Sequence, residues 1–430
     1  MTASGATGRT VIVDATILTA DADDRVLEGS SLVVEGSRIV ELCEGARPAP
    51  RPGDRVVDAA GGIVLPGLVD AHSHVAMTLF RGLADDRDLQ DFLGRVLPLE
   101  ATTLTPEVVG VGARLAMAEM LGGGVTSALD MYWFPEATEE AARSAGLRLA
   151  TGPLFIGGTG PDHQHMADRV AAYGASGPHA WTMVHGTYTM SVGELEVAAD
   201  LARAAGTRLH LHAAENQAEV DQVVAATGRR PVELLDDLGL LGPTTVLAHA
   251  VVLTDHEVER LGSTATAVAH CPLSNMKLAS GACRVVDLRA AGATVALGTD
   301  GPSSSNDLDL FAAMRVAGLL AKVSRLDPTA LSAHDVLKMA TIEGARALGL
   351  DDVTGSIEVG KEADLIRLDP WSPSLTPAFD PVSAVVYAAS RADVVDVWVA
   401  GRQVLEDRRH ATVDVEAAIR DVRAVSRGFA

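Results

Sequence analysis

Hydrophobic positions along the chain fall into three textures. In the first, short β-branched runs at residues 10–13, 31–34 and 38–41 are separated by segments holding Asp and Gly. Runs punctuated in that way predict the strands of a small β-sandwich or half-barrel. From residue 61 the texture changes. Apolar runs at 62–71, 125–132, 147–155, 180–187, 207–213, 245–251, 265–271 and 293–299 alternate with Ala-rich stretches. Four of those stretches, 106–121, 192–205, 218–238 and 308–322, read as amphipathic helices. Eight buried strands, each followed by a helix, form the pattern of a (β/α)8 barrel. After residue 355 the β texture returns at 363–368 and 394–400, and a helical stretch follows at 413–425. The expected architecture is α/β, with a TIM barrel over residues 61–354. A small β-sandwich domain composed of residues 1–60 and 355–430 completes it, since chain ends often lie close together.

Composition narrows the classes of function. Hydrophobic residues make up 47% and aromatic ones only 3%, so Ala, Val, Leu and Gly carry the core. The formal charge is −22, with 57 acidic residues against 35 basic ones. Neither nucleic acid nor an anionic membrane is an expected partner, because phosphate contacts need clustered Lys and Arg. No apolar run approaches the ~18 residues of a membrane span. Cys43, Cys271 and Cys283 lie far apart without a CxxC pair, which fits a reducing compartment. Residues 1–9 lack the apolar centre of a signal peptide. The expected location is the cytoplasm.

Polar residues at the ends of the apolar runs carry the chemistry, because the C-terminal ends of barrel strands form the open face. The first run ends in Asp70-Ala71-His72-Ser73-His74, and side chains two apart on a strand share a face. Asp130 ends the second run and His185 the fourth; His210, His212 and Glu215 follow the fifth. His249 ends the sixth, His270 the seventh and Asp300 the eighth. Seven of the thirteen histidines therefore sit on or just past strands, a bias that a metal centre explains. His72, His74, His212 and Asp300 supply three imidazoles and a carboxylate with a position left for water, which is a catalytic kind of site. Zinc is the divalent metal expected, and the same donors accept iron or manganese. Such an ion brings the pKa of bound water to about 7, giving a hydroxide nucleophile at neutral pH.

The remaining strand-end residues each have two readings. Glu215 is placed to shuttle a proton from that water to a ring nitrogen or leaving group, or it is a first-turn helix glutamate. His249 contacts the attacking oxygen or the developing charge, or it is a packed core histidine. Asp300 is otherwise the turn former of an Asp-Gly pair. His210 reads as a packed group or a partner of a ligand. His270 stands between that role and a substrate contact.

Pro66-Gly67-Leu68-Val69-Asp70-Ala71-His72-Ser73-His74, His212-Ala213-Ala214-Glu215, His249 and Leu297-Gly298-Thr299-Asp300-Gly301 together resemble the amidohydrolase superfamily. Gly355-Ser356-Ile357-Glu358-Val359-Gly360 looks like that superfamily's return to its small β domain, so the resemblance spans residues 11–404. Further pieces are Arg81-Gly82-Leu83-Ala84-Asp85-Asp86, Val96-Leu97-Pro98-Leu99-Glu100, Asp130-Met131-Tyr132 and His270-Cys271-Pro272-Leu273-Ser274-Asn275. They are similar to the branch holding S-adenosylhomocysteine/5′-methylthioadenosine deaminases, with triazine hydrolases and guanine-type deaminases as relatives.

The resemblance implies hydrolytic deamination of an adenine-type nucleoside, or a related amino-substituted nitrogen heterocycle, at one divalent metal. It gives the metal to His72, His74, His212 and Asp300, and has Glu215 protonate the ring nitrogen. Asp300 would take the proton of the attacking water, and His249 would orient that water. His185 matches a histidine that contacts the purine. Asp85 stands where nucleoside deaminases of this branch hold the ribose diol with a longer Glu. Loop 157–165 is Gly-rich and carries His163 and His165, where some of those enzymes place arginines. Substrate contacts are therefore expected around Asp85, Trp133, His163, His165, His185 and His270. Guanine, 8-oxoguanine or pterin deamination and triazine dechlorination use the same kind of site and stay open, as does a homo-oligomer. From a different class, the alternative is a non-catalytic metal-binding module.

Overall fold

The computed structural model describes residues 8–157, 163–177 and 179–429. The chain adopts the expected α/β fold, a barrel of parallel strands with a β-rich sheet drawn from both chain ends. That sheet has nine strands, and Ile63–Pro66 lies near its middle, between Arg9–Leu18 and Leu365–Leu368. Strands Val26–Glu35 and Arg38–Cys43 extend it on one side; Val394–Val399, Arg402–Glu406 and Arg409–His410 extend it on the other. Arg55–Asp58 pairs in parallel with Arg9–Leu18. The sheet packs over a core that includes Ile12, Ile17, Leu32, Ile39, Leu365 and Trp398.

The apolar run 62–71, expected as one barrel strand, is two strands. Ile63–Pro66 belongs to the nine-stranded sheet, and Leu68–Ser73 starts the barrel. The change of sheet falls on Gly67, where a Cβ would run into the Thr126 side chain. Pro66 precedes it, and the Gly67 N–H is held by Asp364 O at 2.9 Å. One apolar run thus spans two sheets because a single glycine lets the backbone pass close to its neighbour.

The barrel strands after Leu68–Ser73 are Val125–Asp130, Arg148–Ala150 with Leu154–Phe155, Trp181–Gly186 and Arg208–Ala213. Thr245–His249, Ala267–His270 and Val295–Leu297 complete the set. The third strand is interrupted at Gly152-Pro153, since proline brings no N–H to the ladder. Three strands therefore pair as one sheet and six as another, with the interrupted strand continuing from one to the other. Opposite that break, a parallel bridge joins Ser73 to Asp300, and the Asp300 N–H donates to His72 O at 3.0 Å. The first and eighth strands meet at this bridge, so two of the expected metal donors lie beside the third's backbone.

Two helical expectations change. The stretch 218–238 is two helices, Gln217–Thr227 and Pro231–Asp237, because Gly228 turns left-handed at φ 72° and Pro231 starts the next. Leu89–Thr103 is a helix not expected from the pattern, capped by the Asp88 side chain on the Asp91 N–H. It buries Leu89, Phe92, Val96 and Glu100 at helical spacing, and it walls the open face. Among the described residues no helix is long and apolar enough to cross a membrane.

Candidate active site and metal centre

His72 and His74 leave the first barrel strand, His212 ends the fifth, and Asp300 follows the eighth at φ 61°. The fold brings their side-chain atoms together. His72 Nε2 and His74 Nε2 lie 3.4 and 3.3 Å from Asp300 Oδ1. His74 Nε2 and His212 Nε2 are 3.2 Å apart. Donors at zinc–ligand distances in a tetrahedral array are separated by about 3.3 Å.

The proton positions decide what those contacts are. The His74 Nδ1–H donates to Met131 O and the His212 Nδ1–H to His185 O. Burial holds the His74 imidazole down to about 4, helped by neighbouring His72, and holds His212 well below its usual value. Both rings are therefore neutral at pH 7, and their Nε2 lone pairs face each other. His72 Nε2 is likewise buried without a hydrogen-bond partner. Facing lone pairs repel unless a cation lies between them, so the donor set fits a divalent metal.

Asp300 is the charged member. Its carboxyl lies buried among His72, His74 and His249. Its other oxygen accepts from the Ser304 hydroxyl at 2.7 Å. Asp70, in the same motif as His72, accepts from the Thr299 N–H at 3.0 Å and the His72 N–H at 3.3 Å. It ties the first strand to the eighth just beneath the donors. Asp130 accepts from the Val75 N–H at 2.8 Å and so fixes the turn that follows His74.

Glu215 is buried, and one oxygen lies 3.6 Å from His249 Nε2. Burial, with Asp300 and Glu219 nearby, pushes its carboxyl well above the usual range. Glu219 keeps that turn in place. Its two oxygens accept from the Ala214 N–H, the Glu215 N–H and the Thr187 hydroxyl at 3.0, 2.6 and 2.6 Å. The Asn275 amide lies 2.9 Å from His249 Nδ1.

A cavity opens over these groups. His74, His212, Glu215, His249, Asp300 and His185 line one part of it. Helix Leu89–Thr103 supplies an apolar part through Phe92, Leu93 and Val96. Trp133 lines it too, with its indole N–H on Glu100 at 3.1 Å, while Tyr132 donates to the other Glu100 oxygen at 2.6 Å.

Two expected substrate contacts stand apart. Asp85 is paired with Lys277 Nζ at 2.7 Å near the mouth and is not in the cavity lining, so its short side chain is already occupied. His270 is buried outside that lining, at the inner end of the loop that carries Asn275. His165 lies exposed on helix His163–Gly174, and the His163 side chain falls outside the described residues. Asp70, Glu100, Glu219 and Asn275 had no role in the sequence reading. Three of them stand inside the motifs quoted above, but a motif does not say which member touches which.

The amidohydrolase family profile matches residues 63–404. A 5-methylthioadenosine/S-adenosylhomocysteine deaminase of Syntrophobacter fumaroxidans is 41% identical over 428 residues, covering 97% of each chain. A 5′-deoxyadenosine deaminase of Methanosarcina acetivorans is 39% identical over 425 residues, again covering 97% of both. The crystal structure of an adenosine deaminase from Xanthomonas campestris with bound zinc matches at a TM-score of 0.93 and 35% identity, covering 98% of each chain. With its strand-end donor set and a profile match over most of its length, the chain belongs to the amidohydrolase family.

Proposed function

We propose that this chain is a metal-dependent deaminase that hydrolyses the amino group of an adenine-type nucleoside and releases ammonia. The observation that carries the reading is Glu215, a buried carboxyl 3.6 Å from His249 and beside the donor group. A binding site alone needs no such acid. The names of the similar proteins supply the ring, since each acts on an adenosine.

His72, His74, His212 and Asp300 would hold the metal, zinc by the chemistry of the donors and by the zinc in the related adenosine deaminase. When bound, the metal supplies Lewis-acid activation of water at neutral pH. The chain's own residues do the rest. Glu215 gives its proton to the ring nitrogen beside the carbon under attack, which makes that carbon accept a water oxygen. Asp300 takes a proton from that water and passes it to the departing amino group, which leaves as ammonia, while the remaining O–H proton returns to the Glu215 carboxylate as the new carbonyl forms. His249 hydrogen-bonds the incoming oxygen and steadies its charge. His185 and Trp133 face the heterocycle from the cavity wall.

Ammonia release is the test. Adenosine, 5′-deoxyadenosine, 5′-methylthioadenosine and S-adenosylhomocysteine are compared with guanine, a pterin and a chlorotriazine. Turnover of adenine nucleosides is expected, with a loss of at least about 100-fold in Glu215→Gln while metal is retained. Ammonia from guanine or pterin alone, or unchanged turnover in Glu215→Gln, overturns the reading.

A further inference from the structure

His210 is fully buried, two residues before the donor His212 on the same strand, and is not itself within the donor cluster. Its Nδ1 lies 3.0 Å from Val246 O and its Nε2 lies 2.7 Å from His72 Nδ1. A carbonyl oxygen only accepts, so the single proton of neutral His210 is on Nδ1. Its Nε2 is then a lone pair, and the short contact requires His72 to donate from Nδ1. That leaves the lone pair of His72 on Nε2, the buried atom without a partner that faces Asp300.

The other two histidine donors reach the same state by a shorter route. His74 and His212 place their Nδ1 protons directly on Met131 O and His185 O. His72 Nδ1 instead meets the ring of His210. The ring of His210, held edge-on to Trp181 with centroids 6.4 Å apart, carries the acceptor character of Val246 O across to it.

We propose that His210 is a positioning residue that locks His72 in the tautomer able to bind a metal, by relaying a backbone carbonyl to it. The inference rests on His72 being a metal ligand, as in the function proposed above, but not on any particular substrate. The protein would therefore lose metal affinity, rather than acquire a new specificity, when the relay is cut.

Zinc binding by the full-length protein, read by competition with a chelating dye, tests it without reference to turnover. Removing such a partner of a ligand costs roughly 10–100-fold in metal affinity, and that loss is expected for His210→Phe. His210→Gln, whose amide oxygen can accept from His72, is expected to recover most of it. Long-range proton–nitrogen spectra of histidine-labelled, metal-free wild type read the tautomers directly, and both His72 and His210 are expected as Nδ1–H. Unchanged zinc affinity in a folded His210→Phe protein, or an Nε2–H tautomer at His72, overturns the proposal. Where His210→Phe does not fold, the wild-type spectrum decides alone. Failure of the deaminase reading would leave both measurements untouched, so the two are distinguishable.

Discussion

His74 Nε2 and His212 Nε2 lie 3.2 Å apart although each ring has already given its Nδ1 proton to a backbone carbonyl. Two lone pairs held at that distance store repulsion that only a cation relieves. Binding to the folded state alone stabilises by about 2.7 kcal/mol at a free metal concentration 100 times Kd. Chelation is therefore expected to lower the thermal midpoint, and added zinc to restore it. In His74→Ala the zinc-dependent part of that shift should disappear, as scanning calorimetry with and without chelator will show.

Asp70 accepts three hydrogen bonds, two of them from Thr299, and so holds the first barrel strand against the eighth. Asp70→Ala removes the acceptor of the buried Thr299 and His72 N–H groups. A buried donor left unsatisfied costs about 1–3 kcal/mol. A loss of stability in that range is expected in chemical denaturation. Zinc titration should also show weaker binding, because His72 and Asp300 lie on the two strands that Asp70 ties together.

Glu100 gives a pH signature. Its buried carboxyl is pushed up to about 7 from 4.5, burial outweighing the Tyr132 and Trp133 hydrogen bonds. Between those two values the unfolded chain has released a proton that the folded chain still holds. The folded state therefore loses stability as pH rises through that window, by up to about 3 kcal/mol from this group. Gln cannot titrate, so the stability of wild type relative to Glu100→Gln should fall by that order between pH 4.5 and 7. Denaturation curves for both proteins across that interval check the sign.

Lys277, at the end of helix Pro272–Lys277, joins two loops of the open face, reaching Asp85 at 2.7 Å, Asn306 Oδ1 at 2.7 Å and Ser303 O at 3.0 Å. The pair is part-exposed, so its contribution to stability is at most about 1 kcal/mol. Its effect should fall on binding. Lys277→Met and Asp85→Ala are expected to raise KM several-fold while kcat stays within about a factor of two, because neither group reaches the donors. A large fall in kcat at unchanged KM would place Asp85 in the chemistry instead.

The sequence by itself determined the barrel and the candidate metal donors gathered at its strand ends. A strand alternates with period two, so His72 and His74 had to share a face, and a barrel gathers the ends of its strands. His212, His249 and Asp300 each fall at the end of an apolar run, where a barrel opens its site. The same local logic could not show that the run 62–71 changes sheets at Gly67, because that depends on how closely Thr126 approaches. Nor could it assign Asp85, whose short carboxylate is taken by Lys277 from a loop 192 residues away. Helix Leu89–Thr103, with Pro98 inside it, became legible only as the wall that covers the cavity. The direction of the His72–His210–Val246 relay also belongs to the tertiary structure, since a carbonyl on the neighbouring strand sets which nitrogen is free. Residue type and period are local quantities, and they name the donors. Proton position and partner choice are properties of the packed whole, and they decide what each donor can do.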